Sequence, residues 1–135
     1  MDLESRTILA KDLVALRDCG RNRLDTLSLY PSTEMRILQV MAARGTLELV
    51  YPSEGLFDVR ISRFVLFGLK RKRRPRFEWW GNRIIAVRLK LGTDVDTVVE
   101  AVDSCFTFVF GVEGPFRLEF QRMGWRPAQA TIHAG

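Results

Sequence analysis

Histidine and cysteine, which are frequent in catalytic and metal sites, are scarce in this sequence. Its 135 residues include one histidine, His133 near the C-terminus, and two cysteines, Cys19 and Cys105, which form no CxxC pair. We therefore expect no histidine-based acid, base or metal site and no zinc site. The two cysteines are expected to be free thiols buried in the core.

Nucleotide-binding motifs are also absent, because the sequence contains neither a GxGxxG pattern nor a P-loop. The pair Asp94 and Asp96 is compatible with a Mg²⁺ site of a nuclease, but acids at the start of a helix are more simply explained by capping. We expect no enzymatic activity, no catalytic residue, no metal and no cofactor.

Long apolar runs are missing as well. No run approaches the roughly 20 residues that a membrane span needs. The first ten residues contain two acids and no apolar stretch, unlike a secretory signal. We expect an intracellular protein with no membrane partner, associated with the nucleoid if the source is archaeal. Asn and Gln together number only five, a depletion typical of hyperthermophilic proteins.

The composition that remains is that of one globular domain, with 47% hydrophobic and 27% charged residues. A chain of this length buries a core without help from disulfides or metal. Residues 1–125 are expected to form this domain. Residues 126–135 show no pattern and are expected to be a flexible C-terminal tail.

Three segments have the apolar spacing of helices. The first covers residues 6–19 and ends at Gly20. The second runs from a cap at Ser32 or Thr33 to residue 44 and ends at Gly45. The third begins at residues 93–96 and continues to about residue 104.

Strands are predicted where apolar residues alternate with polar ones. A short extended piece is expected over residues 24–30. Hairpins are expected from 46–51 with 57–61, from 77–80 with 83–91, and from 106–110 with 116–121, while residues 63–69 fit a strand or a helix. The predicted fold is a single α+β domain with a mainly antiparallel sheet and about three helices, in the order α-α-β-β-(β or α)-β-β-α-β-β.

Positive charge is concentrated in the middle of the chain. Residues 60–90 contain eleven basic residues and one acid, a net +10, whereas the remaining residues contain ten basic and fifteen acidic ones, a net −5. Residues 70–76 are too charged to be core and are expected to form a solvated loop or arm. Such local charge is typical of a binding surface, although the run at 70–76 is also compatible with a nuclear localisation signal or a merely solvated loop.

Aromatic residues accompany this charge. In a regular hairpin around Gly81-Asn82, Trp80 pairs with Arg83 and Trp79 with Ile84. This register places Trp80 on the core face with Ile85, Val87, Leu89 and Leu91, and places Phe77, Trp79, Ile84, Ala86, Arg88 and Lys90 on the outer face. It also puts Glu78 on the core face, which is costly unless Glu78 pairs with Arg76 or Arg83. A register shift by one residue would instead expose Trp80.

Cations that hold phosphates and aromatic rings that stack on unpaired bases are the two components of single-strand binding. We therefore expect non-enzymatic, largely sequence-independent binding of single-stranded DNA. RNA binding within a ribonucleoprotein remains an alternative. A protein-interaction module that uses the aromatic face is a second alternative, and it is compatible with a homo-oligomer. A third alternative is purely structural: a covering element buries Phe77 and Trp79, and both faces of the sheet then belong to the core. The expected nucleic-acid-binding residues are Lys70, Arg71, Lys72, Arg73, Arg74, Arg76, Phe77, Trp79, Trp80, Arg83, Arg88 and Lys90.

The basic loop at 71–76, the aromatic residues Phe77, Trp79 and Trp80, and Arg83 on a small α+β plan resemble the ThermoDBP family of archaeal single-stranded DNA-binding proteins. The resemblance covers about a fifth of the chain. It implies binding in a hydrophobic cleft bordered by basic residues, on a fold unrelated to the OB barrel. The chain lacks the C-terminal heptad pattern associated with dimerisation in the founding member, so the resemblance implies no mode of dimerisation.

Overall fold

The structure, a computed structural model, describes residues 1–19, 25–32, 36–55 and 58–123. Its helices are α1 (Leu3–Cys19), α2 (Arg60–Lys70) and α3 (Val95–Phe108). Its strands are β1 (Thr26–Pro31), β2 (Leu38–Ala43), β3 (Thr46–Pro52), β4 (Arg76–Trp80), β5 (Arg83–Gly92) and β6 (Leu118–Met123). The expected tail at 126–135 lies outside the described residues.

The six strands form one antiparallel sheet in the order β4-β5-β3-β2-β1-β6. One face of the sheet carries buried apolar residues, such as Leu27, Val40, Leu49 and Leu89. The helices pack on this face, with α2 over β5, α3 over β3 and α1 over β2. The predicted class, a single α+β domain with a mainly antiparallel sheet and three helices, is confirmed for the described part of the chain.

The helix predicted from residue 32 to residue 44 is wrong, because the segment contains strand β2. Leu38, Val40 and Ala42 are buried and alternate with more exposed residues, so a period of two prevails over the helical spacing. Gly45 does not end a helix. It forms with Arg44 the two-residue turn between β2 and β3, where both residues have positive φ angles, 81° and 55°, as a type I′ turn requires.

The strand predicted at 57–61 is also wrong where the structure describes it. Helix α2 begins at Arg60, whose N–H donates to the Asp58 carboxylate at 3.0 Å. Phe64, Phe67 and Gly68 are buried along one side of α2, so the ambiguous segment at 63–69 is a helix. Strand β3 pairs with β2 and β5 instead of with residues 57–61.

The hairpin predicted from residues 106–110 and 116–121 is the third correction. Helix α3 continues through Phe108, because Phe106, Val109 and Phe110 are buried at helical spacing while Phe108 is exposed. The second predicted strand exists as β6, and it pairs with β1. The first helix, the strand before Pro31 and the hairpin at 77–91 are confirmed.

Close packing sets the position of α2 on the sheet. A Cβ atom on Gly68 would lie 2.5 Å from Leu89 Cδ2, so any other residue here would force the Leu89 side chain or the helix to shift. Across the described residues, no helix is both long and apolar enough to cross a bilayer.

Candidate functional site

The hairpin β4–β5 contains most of the charged and aromatic residues singled out in the sequence. Trp80 pairs with Arg83 and Trp79 with Ile84, as predicted, around the turn at Gly81-Asn82. Beyond this point the register shifts, because Glu78 pairs with Ala86 and not with Ile85. Ile85 is therefore the extra residue of a β-bulge.

The bulge exchanges the faces that were predicted for β4. Phe77 pairs with Val87, which is fully buried in the core, so Phe77 and Trp79 lie on the face that the helices cover. Glu78 and Trp80 lie on the opposite face, with Arg88 and Lys90. The prediction that Phe77 and Trp79 share a face with Arg88 and Lys90 is wrong for this reason.

The same change removes the difficulty with Glu78. Its side chain is partly exposed and accepts a hydrogen bond at 3.1 Å from Arg88, instead of from the expected Arg76 or Arg83. Glu78 is therefore not the buried, unpaired carboxylate that the predicted register implied.

The aromatic residues of β4 are exposed on both faces. Phe77 is 42% exposed, Trp79 54% and Trp80 76%. Strand β4 is at the edge of the sheet and makes no extensive contact with any described helix. The Phe77 and Trp79 ring centroids are 6.4 Å apart, so the two rings form one continuous surface.

Helix α2 packs on β5, the neighbour of β4 in the sheet. On one side of α2, Lys70 Nζ lies 4.7 Å from the centre of the Phe108 ring of α3. Leu66 and Leu69 of α2 are both roughly half exposed. We call the surface of Phe77 and Trp79 the α2–β4 ledge, because these two rings of β4 lie on the sheet face on which α2 packs.

The nine basic residues of the predicted nucleic-acid-binding site fall into two groups. Several are engaged: Lys70 lies over Phe108, Arg71 lies over the Phe67 ring at 4.7 Å, and both Arg76 and Arg88 form ion pairs. The others form no ion pair or side-chain hydrogen bond with any residue that the structure describes. These uncommitted cations are Lys72, Arg73, Arg74, Arg83 and Lys90.

Glu48 on β3 is the residue that sequence reasoning missed. It is 7% exposed, and its carboxylate accepts hydrogen bonds from Arg76 and, at 3.3 Å, from Arg88. The available signal was a single acid within the apolar strand segment 46–51. Its partners come from other strands, so the sequence alone did not reveal them.

These ion pairs form part of the wall of a groove of about 840 Å³ on the sheet face opposite the helices. Four cations and two carboxylates line it, a formal net charge of +2. We call this the open-face groove. Its charged residues are Arg44, Arg76, Arg88, Lys90, Glu48 and Glu78.

Possible metal ligands are not clustered in the part of the chain that the structure describes. No three His, Cys, Asp or Glu residues lie together as metal ligands there. Cys105 is a buried free thiol, and burial raises its pKa well above the usual range. Asp94 precedes α3 and accepts a hydrogen bond at 2.7 Å from the Thr97 hydroxyl. His133 lies outside the described residues.

Comparison of the chain with protein-family models, with curated proteins and with solved structures found no match.

Proposed function

We propose that this protein binds single-stranded nucleic acid, and single-stranded DNA in the first instance, without catalysing a reaction. The observation that carries the proposal is the exposure of Phe77 and Trp79 on β4, an edge strand of the described sheet. In this proposal, unpaired bases stack on the α2–β4 ledge.

Stacking of a base on an aromatic side chain contributes about 1–3 kcal/mol and tolerates any base, since every base has a π-face. A duplex offers no such faces to the two rings, because its bases are stacked on one another. The ledge therefore favours single strands over duplexes.

Phosphates would be held by the uncommitted cations, whose side chains form no ion pair or hydrogen bond with another described residue. Lys72, Arg73 and Arg74 lie in the loop that enters β4. A strand along the ledge would thus meet positive charge where this loop joins β4, whereas Arg83, the partner of Trp80, lies on the opposite face. Arg76 and Arg88, which neutralise Glu48, would contribute less than the sequence suggested.

The proposal is tested by titrating a fluorescent oligo-dT at several salt concentrations. Each phosphate contact is expected to add about −0.7 to the slope of log affinity against log salt. Trp79→Ala is expected to weaken binding by about tenfold, as the loss of one stacked base predicts. Leu3→Ala, which truncates an exposed apolar side chain of α1 outside the ledge and the basic segment, is the control and should leave the affinity unchanged.

An affinity independent of salt, or equal affinity for duplex and single strand, would refute the proposal. Competition between DNA and RNA strands of the same sequence distinguishes binding of single-stranded DNA from binding of RNA within a ribonucleoprotein.

A second candidate function, docking of a partner protein, is favoured by one observation: β4 is an edge strand whose five side chains are all exposed. An edge strand of this kind accepts a strand from another chain. Under this alternative, Trp79→Ala would abolish an oligomer measured by light scattering and leave oligonucleotide affinity unchanged.

Relationship to the ThermoDBP family, with an intracellular location in a thermophilic archaeon, forms part of the same proposal. It rests on the residues at 71–83 and on the depletion of Asn and Gln. A midpoint of thermal unfolding in the ordinary mesophilic range, about 45–65 °C, would remove the thermophilic component.

A further inference from the structure

Trp79 and Trp80 are neighbours in one strand and project from opposite faces of the sheet. Both rings are more than half exposed. The backbone of the β4–β5 hairpin lies between them, so a nucleic-acid strand on the α2–β4 ledge does not reach Trp80. Trp80 is left without a role in the proposed function.

Each face of the hairpin also has its own positive charge. The loop cations Lys72, Arg73 and Arg74 follow α2, which packs on the helix-covered face. On the opposite face, the open-face groove has a net charge of +2, and Arg44 and Lys90 within it form no ion pair with another described residue.

Trp80 lies beyond the lining residues of the open-face groove, on the same sheet face and toward the hairpin tip. Glu78 is one of these lining residues, and Trp80 is the next residue of β4 on the same face. The groove and Trp80 therefore repeat, on the second face, the combination of cations and an aromatic ring found at the ledge.

The tip between the two faces is narrow and projects into solvent. Gly81 and Asn82 form a two-residue turn, and Trp80, Gly81, Asn82 and Arg83 are all exposed. Two strands that diverge from a duplex would meet this tip at the point of separation.

We propose that the β4–β5 hairpin acts as a wedge at junctions between duplex and single strands. One separated strand would lie on the α2–β4 ledge, and the other would stack on Trp80 and follow the open-face groove. This inference rests on the proposed single-strand binding and extends it to a substrate class, forked nucleic acid.

The test compares three ligands at one salt concentration: a fork whose duplex ends in two oligo-dT arms, a single oligo-dT of the same arm length, and a blunt duplex. The fork is expected to bind about tenfold more tightly than the single strand, because a second base stacks on Trp80. The blunt duplex is expected to bind more weakly than either.

Two variants distinguish binding on the α2–β4 ledge from binding at Trp80 on the opposite face. Trp80→Ala is expected to reduce the affinity for the fork to that for the single strand, and to leave the single-strand affinity unchanged. Trp79→Ala is expected to weaken both complexes. Because both side chains are exposed, neither truncation removes core packing, and circular dichroism of each variant checks the fold.

Equal affinity for fork and single strand, or equal losses for both ligands in Trp80→Ala, would overturn the wedge and leave single-strand binding intact. A protein that binds no oligonucleotide at all would overturn both proposals. A fluorescent base analogue at the junction gives an independent readout, since wedge insertion unstacks it and raises its emission.

Discussion

Glu48 determines how much of the basic segment is available to a ligand. Its buried carboxylate engages two arginines, Arg76 and Arg88, and Arg88 is further paired with Glu78. A buried acid between two arginines fixes their side chains across three strands. As a consequence, two cations of the basic segment are neutralised by acids of the protein itself and are less available to a ligand.

Replacing Glu48 by Gln should affect stability and binding in opposite directions. The two arginines lose their buried partner, so we expect the free energy of unfolding to fall by about 1–3 kcal/mol. The open-face groove gains one unit of positive charge, so the affinity for the forked ligand should rise and its salt dependence should become steeper. Urea denaturation and titration with the fork measure the two effects on the same sample.

Glu78→Gln is the matched control, because its carboxylate is partly exposed and has a single described partner. Surface ion pairs of this kind contribute about 0–1 kcal/mol. A loss of stability in Glu78→Gln as large as in Glu48→Gln would show that burial of Glu48 is not what matters.

At the scale of single residues, the sequence indicated where charge and aromatic rings accumulate but not which of them are available. Arg76 and Lys72 look equivalent in the sequence, yet one is paired with Glu48 and the other has no partner among the described residues. The difference is made by an acid 28 positions away from Arg76 along the chain. Contacts of this kind depend on strand order, which local patterns do not encode.

At the scale of elements, helix α2 connects the core to the candidate site. Its buried side packs on β5 through Gly68, on the sheet face where Phe77 and Trp79 of the α2–β4 ledge are exposed. The position of the helix on this face depends on how closely Gly68 approaches Leu89.

Gly68→Ala is expected to destabilise the protein despite the better helix propensity of alanine. The new Cβ would overlap Leu89 Cδ2, and such overpacking costs about 1–3 kcal/mol. Alanine recovers about 1 kcal/mol of helix propensity, which leaves a net loss of up to about 2 kcal/mol. Denaturant unfolding gives this difference.

Leu89→Val in the Gly68→Ala background tests the cause. The smaller side chain makes room for the added methyl group, so the double variant should be more stable than the sum of the two single effects predicts. Strictly additive effects would show that the two side chains do not compete for the same space.

The sequence predicted elements correctly where the apolar spacing fits only a helix or only a strand. It predicted them wrongly where the spacing fits both. The alternation around the Gly81-Asn82 turn is compatible only with a hairpin, and the prediction was right. Residues 106 and 110 fit both a strand, through 108, and a helix, through their four-residue spacing. Packing of Phe106 against Phe110, with ring centroids 5.4 Å apart, favours the helix, and only the folded core decides between the two.

At the scale of the whole molecule, the core lies on one side of the sheet, between the strands and three helices in the described part of the chain. Cys105 of α3 is fully buried within this core. Its burial raises the pKa of the thiol, so the native protein keeps it protonated throughout the neutral range.

Thiol modification of a Cys19→Ser variant should therefore report global unfolding. We expect Cys105 to react with a thiol reagent only in the unfolded fraction, so the free energy of opening should match the one obtained from denaturant unfolding. A much smaller opening free energy would indicate that α3 separates from the sheet locally. The denatured variant, in which the thiol reacts freely, provides the reference rate.

The bulge in β5 has a consequence for tolerated changes in chain length. Ile85 has no partner in β4 and is about two-fifths exposed. Loss of its single codon would leave Trp79 opposite Ile84 and Glu78 opposite Ala86, so every β4 side chain would keep its face. Loss of one residue from the part of β5 that follows the bulge would instead shift the register by one, so that side chains of β5 would move to the opposite face of the sheet. In-frame loss of one of the two adjacent isoleucines, Ile84 or Ile85, gives the same sequence and should therefore be accepted, whereas loss of the buried Leu89 further along β5 should be rejected.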